Sequence, residues 1–448
     1  MKIVNKIISV TDYSIFVFVF LCSLVYLVFK IPWILKQRNI WNSSAKGNPK
    51  ALILRGFTLE KLSDRGFEHL LPFRNQSLKW MGFLDATNSS KTTTIKIADD
   101  LYLVTWKKSP IVRFLEKMRL FATSTIFREL IAVFKLTSYC VKEQIGILRT
   151  YKHNYPALQA FLVSKFIKIP FIVDISGNYE LSYRLIGKTK YFKALNRLPI
   201  IRTLTHPVTN WLLGVPLRHA SRVLGRNKCC YEHAFALGTQ VEKLSLLRIS
   251  NFSSAFNSYN PEQPPAKPAE YPYILFVGRL AKINFPLDVL DAFNIAAPQL
   301  PEHRLVIIGD GAIRNDIEQR KEYSKYRDRI ILMGRCSNDV VFSWTAHADI
   351  AICPFSGAVL IEAMLCGIPV IAYDVAWHAE MVIDEYTGFL VPFRNTTALA
   401  EKMIYVLRNY GDAKIAGMRG RDLARITFDK EKIIEKESMY YMQALTDS

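Results

Sequence analysis

Between Tyr273 and Tyr373 the chain alternates short, unbroken hydrophobic runs with longer stretches of helical spacing. "YILFVG" predicts a strand, and "PLDVLDAFNIAA" predicts a helix. "RLVIIG", "RIILMG", "DIAICPF" and "IPVIAYD" repeat the first pattern. "GAIRNDIEQRKEY", "SNDVVFSWTAHA" and "AVLIEAMLCG" repeat the second. Strands without polar alternation are covered on both faces, and strand–helix alternation predicts a parallel sheet. The N-terminal half is less regular but similar. "KALILRG" opens it, "QIGILRTYKH" and "IPFIVDISG" flank the helical "NYPALQAFLVSKFIK", and "ASRVLGRN" precedes another helix. The expected fold is therefore α/β, with two doubly wound, Rossmann-like domains and a cleft between them. Ligands in such sheets sit beyond the carboxyl ends of the strands.

Other segments set the expected boundaries. "NSYNPEQPPAKPAEYP", residues 257–272, has five prolines and reads as a linker. It separates an N-terminal domain at 47–256 from a C-terminal domain at 273–425, with a C-terminal helix at 426–448. Near the start, "YSIFVFVFLCSLVYLVF" (Tyr13–Phe29) is uncharged for 17 residues. As a helix it spans about 26 Å, close to the ~30 Å hydrocarbon core of a bilayer. Lys30 can snorkel, and "IPWIL" extends the apolar run. A cleaved signal peptide and a buried helix are the other readings; no small-x-small cleavage site follows the run. The expectation is a single transmembrane helix within an anchor at residues 1–38. Lys30, Lys36, Arg38, Lys46 and Lys50 follow it, against Lys2 and Lys6 before it. The positive-inside rule then puts the rest of the chain in the cytoplasm.

Charge and cysteines sharpen this picture. The net charge of +20 is uneven: residues 1–250 carry 38 Lys+Arg and 14 Asp+Glu, residues 251–448 carry 21 and 25. The basic half suits an anionic membrane surface or a phosphorylated lipid. No zinc-ligand spacing or aromatic-basic motif favours nucleic acid as a partner. The seven scattered cysteines contain no CxxC and fit a reducing compartment rather than a disulfide framework.

The strand ends of the C-terminal half carry the candidate chemistry. "VGRLAKINFP" puts Arg279 just past a strand with Lys282 three residues on. Such a pair grips a diphosphate, or is two solvated loop cations. "VIIGDG" places Gly309 and Gly311 between a strand and a helix start, a weak signal for close ligand approach. "SGAVLIEAM" offers the backbone N–H groups of Gly357, Ala358 and Val359 at a helix start, suited to a phosphate. One turn on, Glu362 is the only charge in "PFSGAVLIEAMLCGIPV". It is either a surface glutamate or a carboxylate placed to accept hydrogen bonds from ribose hydroxyls. His378 and Glu380, at another strand end, face a ligand or serve structure.

The order and spacing of these segments over residues 272–410 resemble the C-terminal domain of the family-four (group 1) retaining glycosyltransferases of GT-B fold. The N-terminal half resembles them more loosely, at "IPFIVDISGN" and "ASRVLG". The resemblance implies that Arg279 and a nearby lysine hold the donor diphosphate. It places the "GDG" loop and Gly334 around the nucleotide, Glu362 on the ribose and the sugar diphosphate against the "SGAVL" helix start. It assigns the acceptor to the N-domain, with Ser176, Gly177 and Asn178 as candidate contacts. Three positions depart from the family pattern. Pro354 stands where the first of two spaced glutamates is usual, leaving Ser356 or the backbone to meet the donor sugar. Asn284 stands at the usual lysine position, making Lys282 the substitute. Ser176-Gly177 replaces His-Gly.

The resemblance implies a retaining hexosyltransferase-like enzyme that moves a sugar from a nucleotide-sugar donor to a lipid-linked or polysaccharide-precursor acceptor at the membrane. No cofactor is expected, and the absence of Asp-x-Asp argues against a divalent-metal requirement. A catalytically silent homologue acting as a partner subunit is the alternative, motivated by the missing glutamate and histidine. A sugar-nucleotide epimerase of the same fold is more distant, since it has no use for a membrane segment.

Overall fold

The chain is described by a computed structural model at residues 30–44, 46–47, 49–54, 78–89, 93–107, 109–118, 121–186, 210–248 and 254–447. Its contacts divide it into two compact units. One comprises Met1–Glu180, Lys188–Ile249 and Glu431–Ser448; the other comprises Leu181–Gly187 and Ser250–Lys430.

The first unit holds an eight-stranded sheet. Its strands are β1 (Lys50–Leu54), β2 (Trp80–Ser89), β3 (Thr93–Ala98), β4 (Leu101–Lys107), β5 (Ile147–Thr150), β6 (Phe171–Ile175), β7 (Arg222–Gly225) and β8 (Leu244–Leu246). The order is β3-β4-β2-β1-β5-β6-β7-β8, and only the β3–β4 pair is antiparallel. Successive side chains point to opposite faces, so β1 splits its residues between two cores. Leu52 and Leu54 join Leu148 and Val173 beneath helices Phe121–Lys142 and Tyr155–Ile167. Ala51 and Ile53 join Ile147 and Ile172 beneath Tyr441 and Leu445 of the last helix, Lys430–Thr446. Both faces are covered over β1, β5 and β6, which is why those strands are almost wholly buried.

The last helix returns to the first unit through a buried polar network. The Arg149 guanidinium donates to both Asp174 oxygens at 3.0–3.2 Å, to the Tyr441 hydroxyl at 2.9 Å, and to Glu437. Arg149 and Asp174 are each 2% exposed. The charges must stay paired there, because an unpaired buried ion costs several kcal/mol.

The membrane span expected at Tyr13–Phe29 lies outside the described residues. Among the described residues no helix is long and apolar enough to cross a membrane. Residues Ile31–Ser44, which straddle the expected anchor boundary at 38, form a helix of the first unit. The indole of Trp41, 1% exposed, donates to the Ile145 carbonyl at 2.9 Å. Arg38 donates to the carbonyls of Phe166 (2.9 Å) and Lys165 (2.6 Å).

The second unit has six parallel strands: β9 (Tyr273–Val277), β10 (Arg304–Ile308), β11 (Ile330–Gly334), β12 (Ile350–Cys353), β13 (Val370–Tyr373) and β14 (Phe389–Val391). Their order is β11-β10-β9-β12-β13-β14. Ile274, Phe276, Ile307 and Ile352 face Val289, Phe293 and Met403. Leu275, Val306, Ile308 and Cys353 face Leu360 and Met364 on the other side. Each fully buried side chain of this size contributes roughly 1.5–3 kcal/mol. The proline-rich segment is fastened to this unit. Ser343 donates to the Ala266 carbonyl (2.6 Å), the His347 ring meets the Pro265 carbonyl (2.6 Å), and Arg421 donates to the Tyr259 carbonyl (3.0 Å).

Candidate functional site

The strand order decides which loops of the second unit become neighbours. β9 and β12 pair directly, so the loop carrying Arg279 and Lys282 lies beside the loop carrying Ser356 to Val359. Phe285 of the first loop meets Phe355 of the second, with ring centroids 6.4 Å apart. β10 and β11 extend the same edge; Gly309 directly follows β10, and Gly334 ends β11. The sheet thus brings together Arg279, Lys282, Gly309, Gly311, Gly334, Ser356, Gly357, Ala358, Val359 and Glu362, on one side of one unit.

Arg279 and Lys282 are exposed, and among the described residues neither side chain has a partner. Local contacts hold the loop that carries them. The Asn284 side chain donates to the Arg279 carbonyl at 2.7 Å, and Lys282–Asn284 forms a single 3-10 turn. Asn284 therefore serves the loop backbone from the position where a lysine is usual.

Gly309 and Gly311 are explained by packing between loops. Gly309 has φ +144°, and a Cβ there would lie 1.8 Å from the Gly278 carbonyl oxygen. A Cβ on Gly311 would lie 2.3 Å from the Leu280 oxygen. Hydrogen bonds from Leu280 N–H to the Asp310 carbonyl (3.0 Å) and from Ile313 N–H to the Leu280 carbonyl (3.1 Å) lock the two loops together. Gly357 differs: a Cβ there meets nothing within 4 Å. It caps helix Ala358–Leu365 and is exposed, so its surroundings leave space for a ligand at the helix start.

Glu362 is half-buried on that helix, and among the described residues its carboxylate has no hydrogen-bond or ionic partner. Burial alone pushes its pKa up to about 7. Its charge also reaches Cys353, whose thiol burial pushes up to about 12, with the Glu362 carboxylate adding to the rise. The helix thus holds a carboxylate at its edge that no described residue neutralises. A desolvated acceptor of this kind is relieved by a hydrogen-bond donor from outside the chain.

His378 belongs to the supporting structure. It is fully buried, its Nδ1 lies 3.0 Å from the Tyr373 carbonyl, and its Nε2 lies 3.2 Å from the Ser356 amide nitrogen and 3.1 Å from the Ser356 carbonyl oxygen. Burial pushes its pKa down, which keeps the ring neutral. His378 therefore fixes the backbone that opens the Gly357 helix start. The sequence left its role open; only the fold brings residue 378 to residue 356.

The first-unit candidates lie at the end of β6. Ser176 donates to the Tyr151 carbonyl at 3.1 Å. A Cβ on Gly177 would meet nothing within 4 Å. The Asn178 amide lies 3.5 Å from the Cys229 sulfur.

Residues 260–422 match the family described as glycosyl transferases group 1. An N-acetyl-alpha-D-glucosaminyl L-malate synthase of Bacillus anthracis is 27% identical over 178 residues, 39% of this chain and 46% of that protein. The phosphatidylinositol N-acetylglucosaminyltransferase gpi3 subunit of Schizosaccharomyces pombe is 30% identical over 215 residues, 46% of this chain and 45% of that protein. The matched regions span about half the length of these curated relatives. Among solved structures, Anabaena HepE in complex with UDP superposes with TM-score 0.62 at 14% identity, covering 87% of this chain and 98% of that one. The sucrose-phosphate synthase of Thermosynechococcus elongatus gives TM-score 0.66 at 18% identity, covering 89% and 100%. These likenesses give the fold: the two parallel-sheet units are of the GT-B type.

Proposed function

We propose that this chain is a glycosyltransferase that binds a nucleotide-sugar donor on its second unit and passes the sugar to a membrane-associated lipid or polysaccharide-precursor acceptor. The observation that carries the reading is the unpartnered Glu362 carboxyl, raised to about 7, one turn into a helix whose start at Gly357 is open. Two ribose hydroxyls donate to Glu362. The diphosphate sits at the helix start, where backbone N–H groups and the helix dipole favour negative charge. Arg279 and Lys282 supply cations to the same diphosphate. The match of residues 260–422 to group 1 glycosyl transferases supports this assignment, as do neighbours of the same fold described with UDP and with UDP-glucose.

The reaction is retaining and needs no metal. The bond between the sugar's anomeric carbon and the diphosphate oxygen breaks, and its electron pair leaves with the diphosphate. Arg279, Lys282 and the helix start stabilise the developing charge. The acceptor hydroxyl oxygen bonds to the anomeric carbon on the same face, and its proton passes to the departing phosphate oxygen. Ser176, Gly177 and Asn178 serve the acceptor. Ser356 takes the place left by Pro354 on the donor sugar. The apolar run at 13–29 and the basic residues after it support an anchored, cytoplasmic-side enzyme acting on a lipid acceptor. The name of the gpi3 relative, a phosphatidylinositol N-acetylglucosaminyltransferase subunit, supports the same acceptor class.

Pro354 also favours a second reading, a silent homologue that binds donor without turnover. Incubating the full chain with radiolabelled nucleotide sugars, UDP-sugars first, and membrane extract separates the two. The enzyme reading expects label in the lipid or polysaccharide fraction, lost in Arg279→Ala. Donor binding without transfer or hydrolysis, for every donor that binds, supports the silent homologue.

A further inference from the structure

At the carboxyl ends of β5, β6 and β7 the first unit gathers charges that the donor site does not use. Arg149 and Asp174 are paired with each other, and Glu437 pairs with Arg149. Arg226 is in a different situation. It directly follows β7, and its N–H donates to the Ile175 carbonyl (3.3 Å), which fixes it beside Ser176 and Gly177. Its guanidinium lies 5.3 Å from the centroid of the Tyr151 ring, which also carries Arg149 at 4.8 Å. Among the described residues no acceptor takes any of its guanidinium N–H groups, and its Nε is sealed from solvent. The Arg248 side chain reaches back to the Arg226 carbonyl at 3.4 Å and brings a second guanidinium to the same strand end.

Sealing the Arg226 Nε from solvent without an acceptor costs free energy that a hydrogen-bonded oxyanion would recover. Burial pushes the Arg226 pKa down; the nearby Asp174 carboxylate opposes this only in part, because its hydrogen bonds go to Arg149. The fork of N–H donors matches phosphate geometry better than it matches a neutral partner. The space in front of Gly177 leaves room for such a group.

We propose that Arg226, with Arg248 beside it, binds an oxyanion carried by the acceptor, phosphate foremost. Its role toward an acceptor rests on the transferase reading above; the anion site itself does not.

The test is calorimetric titration of the full chain at 150 mM NaCl with inorganic phosphate, and separately with detergent micelles containing phosphatidylglycerol. Wild type is compared with Arg226→Gln, Arg226→Lys and Lys142→Gln, an exposed lysine on helix Phe121–Lys142. The expected result is a tenfold or greater loss of affinity in Arg226→Gln, a smaller loss in Arg226→Lys, and none in Lys142→Gln. The loss must persist in an Arg279→Ala background, which sets aside phosphate binding at the donor site. Tighter binding of micelles than of free phosphate identifies a lipid headgroup, and the reverse identifies a soluble phosphate; either supports the proposal. Phosphate affinity equal in wild type and both Arg226 variants overturns it. So does a lowered melting temperature in Arg226→Lys with unchanged affinity, which would make Arg226 a brace for Tyr151. Nucleoside diphosphate binding is measured alongside: its absence would refute the donor reading while leaving the Arg226 result standing.

Discussion

Replacing Glu362 by Gln should stabilise the ligand-free protein at pH 8 and change it little at pH 5. The folded carboxyl titrates at about 7 against 4.5 for the ordinary group. The fold therefore prefers the protonated form. Below pH 4.5 the group is neutral in both states and imposes no penalty. Between 4.5 and 7 the unfolded chain ionises first and stability falls, and above 7 the penalty is complete. At 1.36 kcal/mol per unit the full shift, from 4.5 to about 7, corresponds to at most about 3.4 kcal/mol; partial solvent access reduces this to roughly 1–3 kcal/mol. Glutamine keeps the shape without the charge, so it escapes the penalty. For a domain of this size the gain appears as a rise of roughly 3–8 °C in melting temperature at pH 8. Calorimetric scans of the full chain at the two pH values measure it. A change of the same size at both pH values, or earlier melting of the variant at pH 8, would refute the reasoning. A glutamate in free contact with water would shift stability by less than about 0.5 kcal/mol at either pH.

Arg279→Ala should weaken nucleoside diphosphate binding by about 2 kcal/mol, measured by calorimetry, without lowering the melting temperature, because among the described residues the exposed guanidinium has no partner to lose. Gly309→Ala should destabilise the second unit by more than about 4 kcal/mol in denaturant titration, since its Cβ falls 1.8 Å from the Gly278 oxygen. Gly357→Ala should leave the fold within about 1 kcal/mol yet reduce nucleotide affinity, because its Cβ enters open space at the helix start. Glu437→Ala should cost the first unit about 3–5 kcal/mol by stranding part of the Arg149 charge, and hydrogen exchange should rise along Lys430–Thr446.

The second unit was legible in the sequence because each parallel strand is buried on both faces and therefore reads as an unbroken apolar run. Glu362 was legible for the same reason: a lone charge stands out in an apolar segment. Gly309 and Gly311 read as space for a ligand, whereas the structure accounts for them by the approach of the Gly278 and Leu280 carbonyls. Nothing local in sequence announces that approach. The Arg149–Glu437 pair joins residues 288 apart, and no periodicity links a β5 arginine to a C-terminal helix. The His378 contact with Ser356 is likewise a product of the β12–β13 pairing, not of spacing. Strands β2 to β4 were missed because their polar residues, among them Asp85, Thr94 and Lys96, interrupt the apolar pattern.

The claim that Glu362 reads a ribose is tested most directly by pairing a change in the protein with a change in the ligand. The tightest binder among UDP, GDP, ADP and dTDP is chosen; the ribose form of its base and the matching 2′,3′-dideoxy form are titrated calorimetrically into wild type and Glu362→Gln at pH 8. Wild type should lose about 2–3 kcal/mol when the hydroxyls are removed, as expected for charge-assisted hydrogen bonds, and the variant should lose much less. An equal loss in both proteins would contradict the account, because it would show that the hydroxyls are held by something other than Glu362.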